Sequence, residues 1–219
     1  QLSALCGAVP VITTATDANG IFAVDEWAKH QNCQVLEPAR IKAVSGKLLA
    51  GQTASVWSEF SLPGAAPAGV IPTQTQDAAD FALTLFPAGN ALHLVPRIGV
   101  LGVGCKRGTS TEQLEAAFAA FCETHGLAPA CICAAASIDL KQNEAGLLAF
   151  CQAHRWKVSF YSAAQLQAAP GTFTPSHFVQ SVTGVDNVCE RAAVRTAGGP
   201  IRIPKQAGGG VTFALALRP

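Results

Sequence analysis

Three polar segments carry residue types that could hold a charged small molecule. The first is Gly102-Val103-Gly104-Cys105-Lys106-Arg107-Gly108-Thr109, a basic glycine turn between an apolar run and a helix-forming stretch opened by Ser110 and Glu112. A strand, a glycine loop and a helix N-terminus present backbone N–H groups and a positive dipole end to an anion, and Lys106 and Arg107 add two full charges. The glycine spacing departs by one residue from the dinucleotide fingerprint, and the Gly-Lys-Ser/Thr ending of a P-loop is missing. The alternative is a turn that only lets the strand pack under its helix.

The second segment places Ser137, Asp139, Lys141 and Glu144 just after a predicted strand, at the carboxyl end where open α/β sheets gather ligands. Ser137 and Asp139 can equally cap the next helix, and Lys141 and Glu144, spaced i and i+3, either pair or converge on a substrate. The third contains Ser176, Gly184, Asp186, Asn187, Glu190 and Arg191, with Lys205 farther on. Asp186 or Asn187 would cap a helix whose first turn carries Glu190; Glu190 and Arg191 either form a surface pair or serve a site. The five histidines lack metal-ligand spacing, and neither a Gly-x-Ser-x-Gly elbow nor a Cys–His arrangement can be read.

The elements that would position these groups follow from periodicity. Residues 8–14 read as a buried strand, 23–31 and 41–49 as short helices, and 53–60 as a strand, with a Pro/Gly/Ala-rich loop over 62–72. A short apolar segment, 91–96, leads into the glycine turn. Beyond it the pattern predicts helices over 111–125, 143–154, 176–181 and 187–196, and strands over 130–136 and 157–161. The strand 201–205, the turn Gly208-Gly209-Gly210 and the strand 211–217 form a terminal hairpin. The result is an α/β protein of two domains, its C-terminal sheet mostly parallel with an antiparallel terminal hairpin, and a boundary near 87–97.

The 219 residues, 49% hydrophobic, can bury a real core. Fifteen Lys and Arg against 14 Asp and Glu leave no global field for nucleic acid or anionic lipid, so anion binding must be local. The eight cysteines fall mostly in apolar runs, as reduced thiols of a cytoplasmic protein do, and Cys131 and Cys133 should share one face of a strand. No apolar run is long enough to span a bilayer. The chain has no Met and opens in what reads like the end of a helix, the pattern of a truncated piece.

Taken together, the segments resemble the CbiG family, the cobalt-precorrin-5A hydrolases of cobalamin biosynthesis, whose C-terminal domain is related to CobE. The resemblance is carried by Gly102 to Thr109, Ala136-Ser137-Ile138-Asp139-Leu140-Lys141 with Glu144, Ser176 with Phe178-Val179, Thr183-Gly184-Val185 with Asn187-Val188 and Glu190-Arg191-Ala192-Ala193, and Lys205 with Gly210-Val211-Thr212. Pro10 to Asp17 resembles the end of the family's N-terminal domain, whose upstream His- and Gly-rich part is missing. The resemblance implies residues 1–90 as the end of that domain plus a middle region, and 91–219 as the CobE-like domain.

It also implies a hydrolase that opens the δ-lactone of cobalt-precorrin-5A and releases acetaldehyde to give cobalt-precorrin-5B. Gly102, Gly104, Cys105, Lys106, Arg107, Gly108, Thr109, Ser137, Asp139, Lys141, Ser176, Arg191 and Lys205 are then expected to bind substrate. Their cations and helix N-termini would line one crevice for the corrinoid's carboxylates. Glu144 or Glu190 would be the general base, with glycine-loop N–H groups as oxyanion donors. The cobalt travels with the substrate, so neither a cofactor nor a protein-bound metal is expected. Other corrin-pathway enzymes are expected partners; nucleic acid and membrane are not. The alternative is a noncatalytic corrinoid-binding or carrier protein, with a nicotinamide-dependent enzyme a distant third.

Overall fold

In a computed structural model, residues 22–61 and 66–219 are described. The expected strand over 8–14 and part of the expected loop over 62–72 lie outside them. Two compact units result: one runs up to Thr84 and includes Ala88–Val95, and the other comprises Leu85–Pro87 and Pro96–Pro219.

In the first unit, α1 (Val24–His30) buries Val24 and Ala28 one turn apart, with Asp25 and Glu26 in its first turn and Lys29 and His30 in its last, matching the helix dipole. Helix α2 (Ile41–Leu49) buries Val44 and Leu48 in the same way. Both pack on five short strands: β1 (Cys33–Val35), β2 (Ala54–Ser58), β3 (Val70–Pro72), β4 (Phe81–Leu83) and β5 (Leu92–Pro96), in the order β1-β5-β4-β2-β3. Strand β3 falls inside the segment expected to be loop. It is an edge strand pairing parallel to β2 through Ala54↔Val70, and an edge tolerates the missing N–H of Pro72. The isolated triplets β1 and β4 are too short to show periodicity and form because the sheet supplies partners.

The second unit follows the predicted order closely. Strands β6 (Gly99–Cys105), β7 (Ile132–Ile138) and β8 (Lys157–Tyr161) are parallel, and β10 (Val211–Leu217) pairs antiparallel with β6 and with β9 (Ile201–Gly208), giving the order β8-β7-β6-β10-β9. Helix α3 (Thr111–His125) starts in a capping box between Ser110 and Gln113 and stops at Gly126, whose φ is +61°. Together with α4 (Ala145–Ala153) it builds an aromatic layer of Phe118, Phe150, Trp156 and Phe213, with edge-to-face centroid distances such as 5.3 Å for Phe118 and Trp156. A short helix, α5 (Ala163–Gln167), follows β8; α6 (His177–Thr183) and α7 (Cys189–Ala197) come next. Helix α7 lays Ala192, Ala193 and Ala197 against Val100, Ala134 and Ala136. Cys131 departs from expectation: Pro129 opens a 3-10 turn over Pro129–Cys131, so the strand begins at Ile132 and Cys131 and Cys133 do not alternate in one strand.

Candidate functional site

Gly102 and Gly104 sit where close neighbours leave no room for a side chain. A Cβ on Gly102 would lie 1.8 Å from the Cys189 carbonyl oxygen, so only a bare backbone lets the first turn of α7 descend onto β6. A Cβ on Gly104 would meet Thr212 Oγ1 at 2.4 Å, and that hydroxyl donates to the Gly104 carbonyl at 3.3 Å. The strand does pack under a helix, but the helix is α7, not the α3 that follows it in sequence.

Past the glycines, the chain turns at the carboxyl end of β6. Lys106 N–H donates to Gly210 of the hairpin turn, and the Thr109 hydroxyl donates to the Lys106 carbonyl at 2.8 Å. Gly108, with φ +73°, aims its N–H at Glu144 Oε2, 2.9 Å away, while Lys141 Nζ sits 3.0 Å from Glu144 Oε1. Both side chains of that pair are largely buried, at 16% and 13% exposed. The Gly108 N–H first, then Lys141 and Arg107, hold the Glu144 carboxyl below the usual carboxylate range. Cys105 lies close enough to Lys141 and Glu144 to feel both charges, and burial pushes its thiol up. Lys106 and Arg107 themselves are exposed.

Most backbone donors of the turn have partners within the protein. The N–H groups of Lys106, Gly108 and Thr109 are spent on Gly210, Glu144 and Lys106, and the α3 N-terminus is capped by Ser110 and Gln113. Ser137 and Asp139 do not cap a helix: Ser137 is fully buried in β7 and donates to the Val103 carbonyl at 2.7 Å, and Asp139 opens a 3-10 turn, Asp139–Lys141, that delays α4 to Ala145.

A second cluster centres on Glu190, 2% exposed. Its carboxylate accepts from Thr174 N–H at 2.8 Å, Thr174 Oγ1 at 3.1 Å, Asn187 Nδ2 at 2.6 Å and Lys205 N–H at 2.7 Å. The Lys205 bond arises at a bulge, where the β9–β10 register steps from Gln206↔Phe213 to Ile203↔Leu215 and Pro204 has no N–H to give. Asn187, one of the two expected cap candidates, accepts the Glu190 N–H of the first turn of α7 on its Oδ1 at 2.9 Å, while Val188 holds the N-cap position. The other, Asp186, binds Arg191 at 2.8 Å instead. Ser176 caps α6 through the Val179 N–H at 3.4 Å. Neighbouring Cys189 is pushed up to about 12 by burial.

The cations expected to line one crevice take separate partners. Lys106, Arg107 and Lys141 gather at the carboxyl ends of β6 and β7, while Lys205 Nζ turns to the Thr174 carbonyl at 3.3 Å. Arg191 is committed elsewhere, to Asp186, to the carbonyls of Leu166 and Gln167, and to the Phe173 ring 4.6 Å from its guanidinium carbon. Two open clefts of this unit, of about 540 and 530 Å³, lie against α3 with the hairpin tip and against Gly171 with Gly198, and none of these cations lines either of them. Thr174, which bonds Glu190, Asn187 and Lys205, was not legible as a site residue, because an isolated threonine carries no pattern. Among the described residues no group of three or more metal-ligating side chains assembles, and no helix is long and apolar enough to cross a membrane.

A sheet parallel over β6–β8 and closed by an antiparallel hairpin, with helices on both faces, makes this unit an α/β domain. Residues 99–216 match the family described as cobalamin synthesis G C-terminus, and the chain belongs to that family. It is 29% identical over 231 residues to the cobalt-precorrin-5A hydrolase of Salmonella typhimurium and 26% identical over 246 residues to that of Priestia megaterium. These matches cover 99% and 100% of the chain but 66% and 64% of the relatives, so the chain spans just under two thirds of their length. The crystal structure of CobE, a protein from the cobalamin (vitamin B12) biosynthetic pathway, aligns with a TM-score of 0.51 at 32% identity, covering 56% of this chain and 92% of CobE.

Proposed function

We propose that this chain hydrolyses cobalt-precorrin-5A in the cytoplasm, opening its δ-lactone and releasing acetaldehyde. The observation that carries the reading is the Arg107–Gly108–Lys141–Glu144 cluster at the ligand end of a parallel sheet, in a chain that belongs to the cobalamin synthesis G family. The corrinoid's carboxylates are met by the exposed Lys106 and Arg107. Glu144 is the general base. Two of its roughly four lone-pair sites are taken and two are left for a water, whereas all of those on Glu190 are occupied.

Water loses its proton to Glu144 as it adds to the lactone carbonyl, and Lys141 balances the developing oxyanion. Expulsion of the ring oxygen as an alkoxide leaves a free carboxylate. Collapse of that alkoxide to acetaldehyde breaks the carbon–carbon bond to the macrocycle, which keeps the electron pair and takes up a proton. The cobalt remains in the substrate throughout. Incubating the purified chain with cobalt-precorrin-5A and trapping acetaldehyde tests the reading; corrinoid binding without release supports a carrier instead.

A further inference from the structure

Helix α6 carries an apolar face that its own unit leaves uncovered. Phe178 and Val182, one turn apart on the same side, are 75% and 62% exposed, among the highest values for large hydrophobics in the described residues. Val179 packs inward on the cluster containing Val185 and Val188, and the Thr183 hydroxyl closes back on the Val179 carbonyl at 2.8 Å. The inner face is therefore satisfied, and the outer one is not an accident of a loose segment.

The base of the helix is stitched shut. Ser176 N–H donates to the Asp186 carbonyl at 2.9 Å, Asn187 Nδ2 to the Thr174 carbonyl at 2.8 Å, and Thr174 to buried Glu190. Lys205 Nζ reaches the same Thr174 carbonyl. At the far end Gly184 lies against Ala163, the first residue of α5, which follows the carboxyl end of β8. Helix α6 thus runs from the Lys205 bulge toward the end of β8, on the side of the sheet where parallel strands bind ligands. Leu140, 61% exposed, sits on the turn that follows β7 at that same end.

A ligand made only of carboxylates would give these side chains no work. A flat macrocycle with an apolar face and a carboxylate rim uses both kinds of group, the face on α6 and the rim on Lys205, whose Nζ reaches the Thr174 carbonyl just before the helix begins. Resting on the function proposed above, we infer that α6 is the platform for the apolar face of the corrinoid, with Phe178 and Val182 as its contacts.

Cobyrinic acid, a cobalt corrinoid whose rim is all carboxylates, is titrated into the full chain and followed by its visible absorbance. The double variant Phe178→Ser, Val182→Ser is expected to bind about tenfold more weakly, the loss anticipated when one large apolar contact is removed, with an unchanged urea midpoint. The control Leu49→Ser, exposed on the first unit, is expected to bind as the parent does. Equal affinity of the double variant and the parent overturns the platform while leaving the functional reading standing. A double variant that only changes sedimentation, with affinity unaltered, overturns it in favour of a surface for a second copy. A parent chain that fails to bind also overturns the platform, and acetaldehyde release from cobalt-precorrin-5A then decides the functional reading separately.

Discussion

Glu144 and Glu190 are both carboxylates at the ends of elements, and their neighbours give them opposite work. Glu190 accepts four hydrogen bonds in a buried setting and joins α7, the 174–187 segment and the β9 bulge. Glu190→Ala leaves the Thr174 and Lys205 N–H groups without acceptors, at about 1–3 kcal/mol for each unsatisfied donor. We expect a drop of at least about 3 kcal/mol in unfolding free energy, read from urea denaturation. Glu144 keeps lone pairs and contact with solvent, so Glu144→Gln should fold normally and cut acetaldehyde release by about 100-fold, within the usual range for a general base. Its carboxyl is held low by Gly108 and Lys141, so its stabilising contribution is complete above the ordinary carboxylate range and fades as pH falls through the lowered value. Urea midpoints of the parent should therefore decline below about pH 4 more steeply than those of Glu144→Gln; parallel declines would contradict the assigned bonds.

Among the elements, those with a period announced themselves. Leu114, Phe118, Phe121 and Cys122 bury one face of α3, and its Ser110 cap and Gly126 stop are both local signals. Strands β1, β3 and β4 did not, because three residues held by neighbouring strands carry no period of their own. The glycine turn was half legible. Its position at the end of a strand was readable, but the reason for Gly102 lies in α7, about 87 positions downstream, and no local pattern reports such a contact. Likewise Lys141 and Glu144 could be paired from spacing alone, whereas the commitment of Arg191 to Asp186 and two carbonyls depended on where α5 ends. Gly102→Ala should push α7 from β6 and lower the unfolding free energy by about 3 kcal/mol. Ser110→Ala, which removes only a cap, should lower it by about 1 kcal/mol; thermal melts that rank the two the other way would contradict the close approach of α7.

The whole molecule consists of two α/β units with separate cores, and the charged cluster and the exposed apolar helix both belong to the second. That unit carries the family match, over residues 99–216. The binding groups and the water-activating base of the proposed reaction belong to that same unit. The most direct test is a reaction of the purified chain with cobalt-precorrin-5A in which acetaldehyde and the corrinoid's mass are followed together. The account predicts stoichiometric acetaldehyde and a ring-opened corrinoid with the parent chain, and a slow reaction with Glu144→Gln. A corrinoid that binds the parent chain and is recovered with its lactone intact would contradict it.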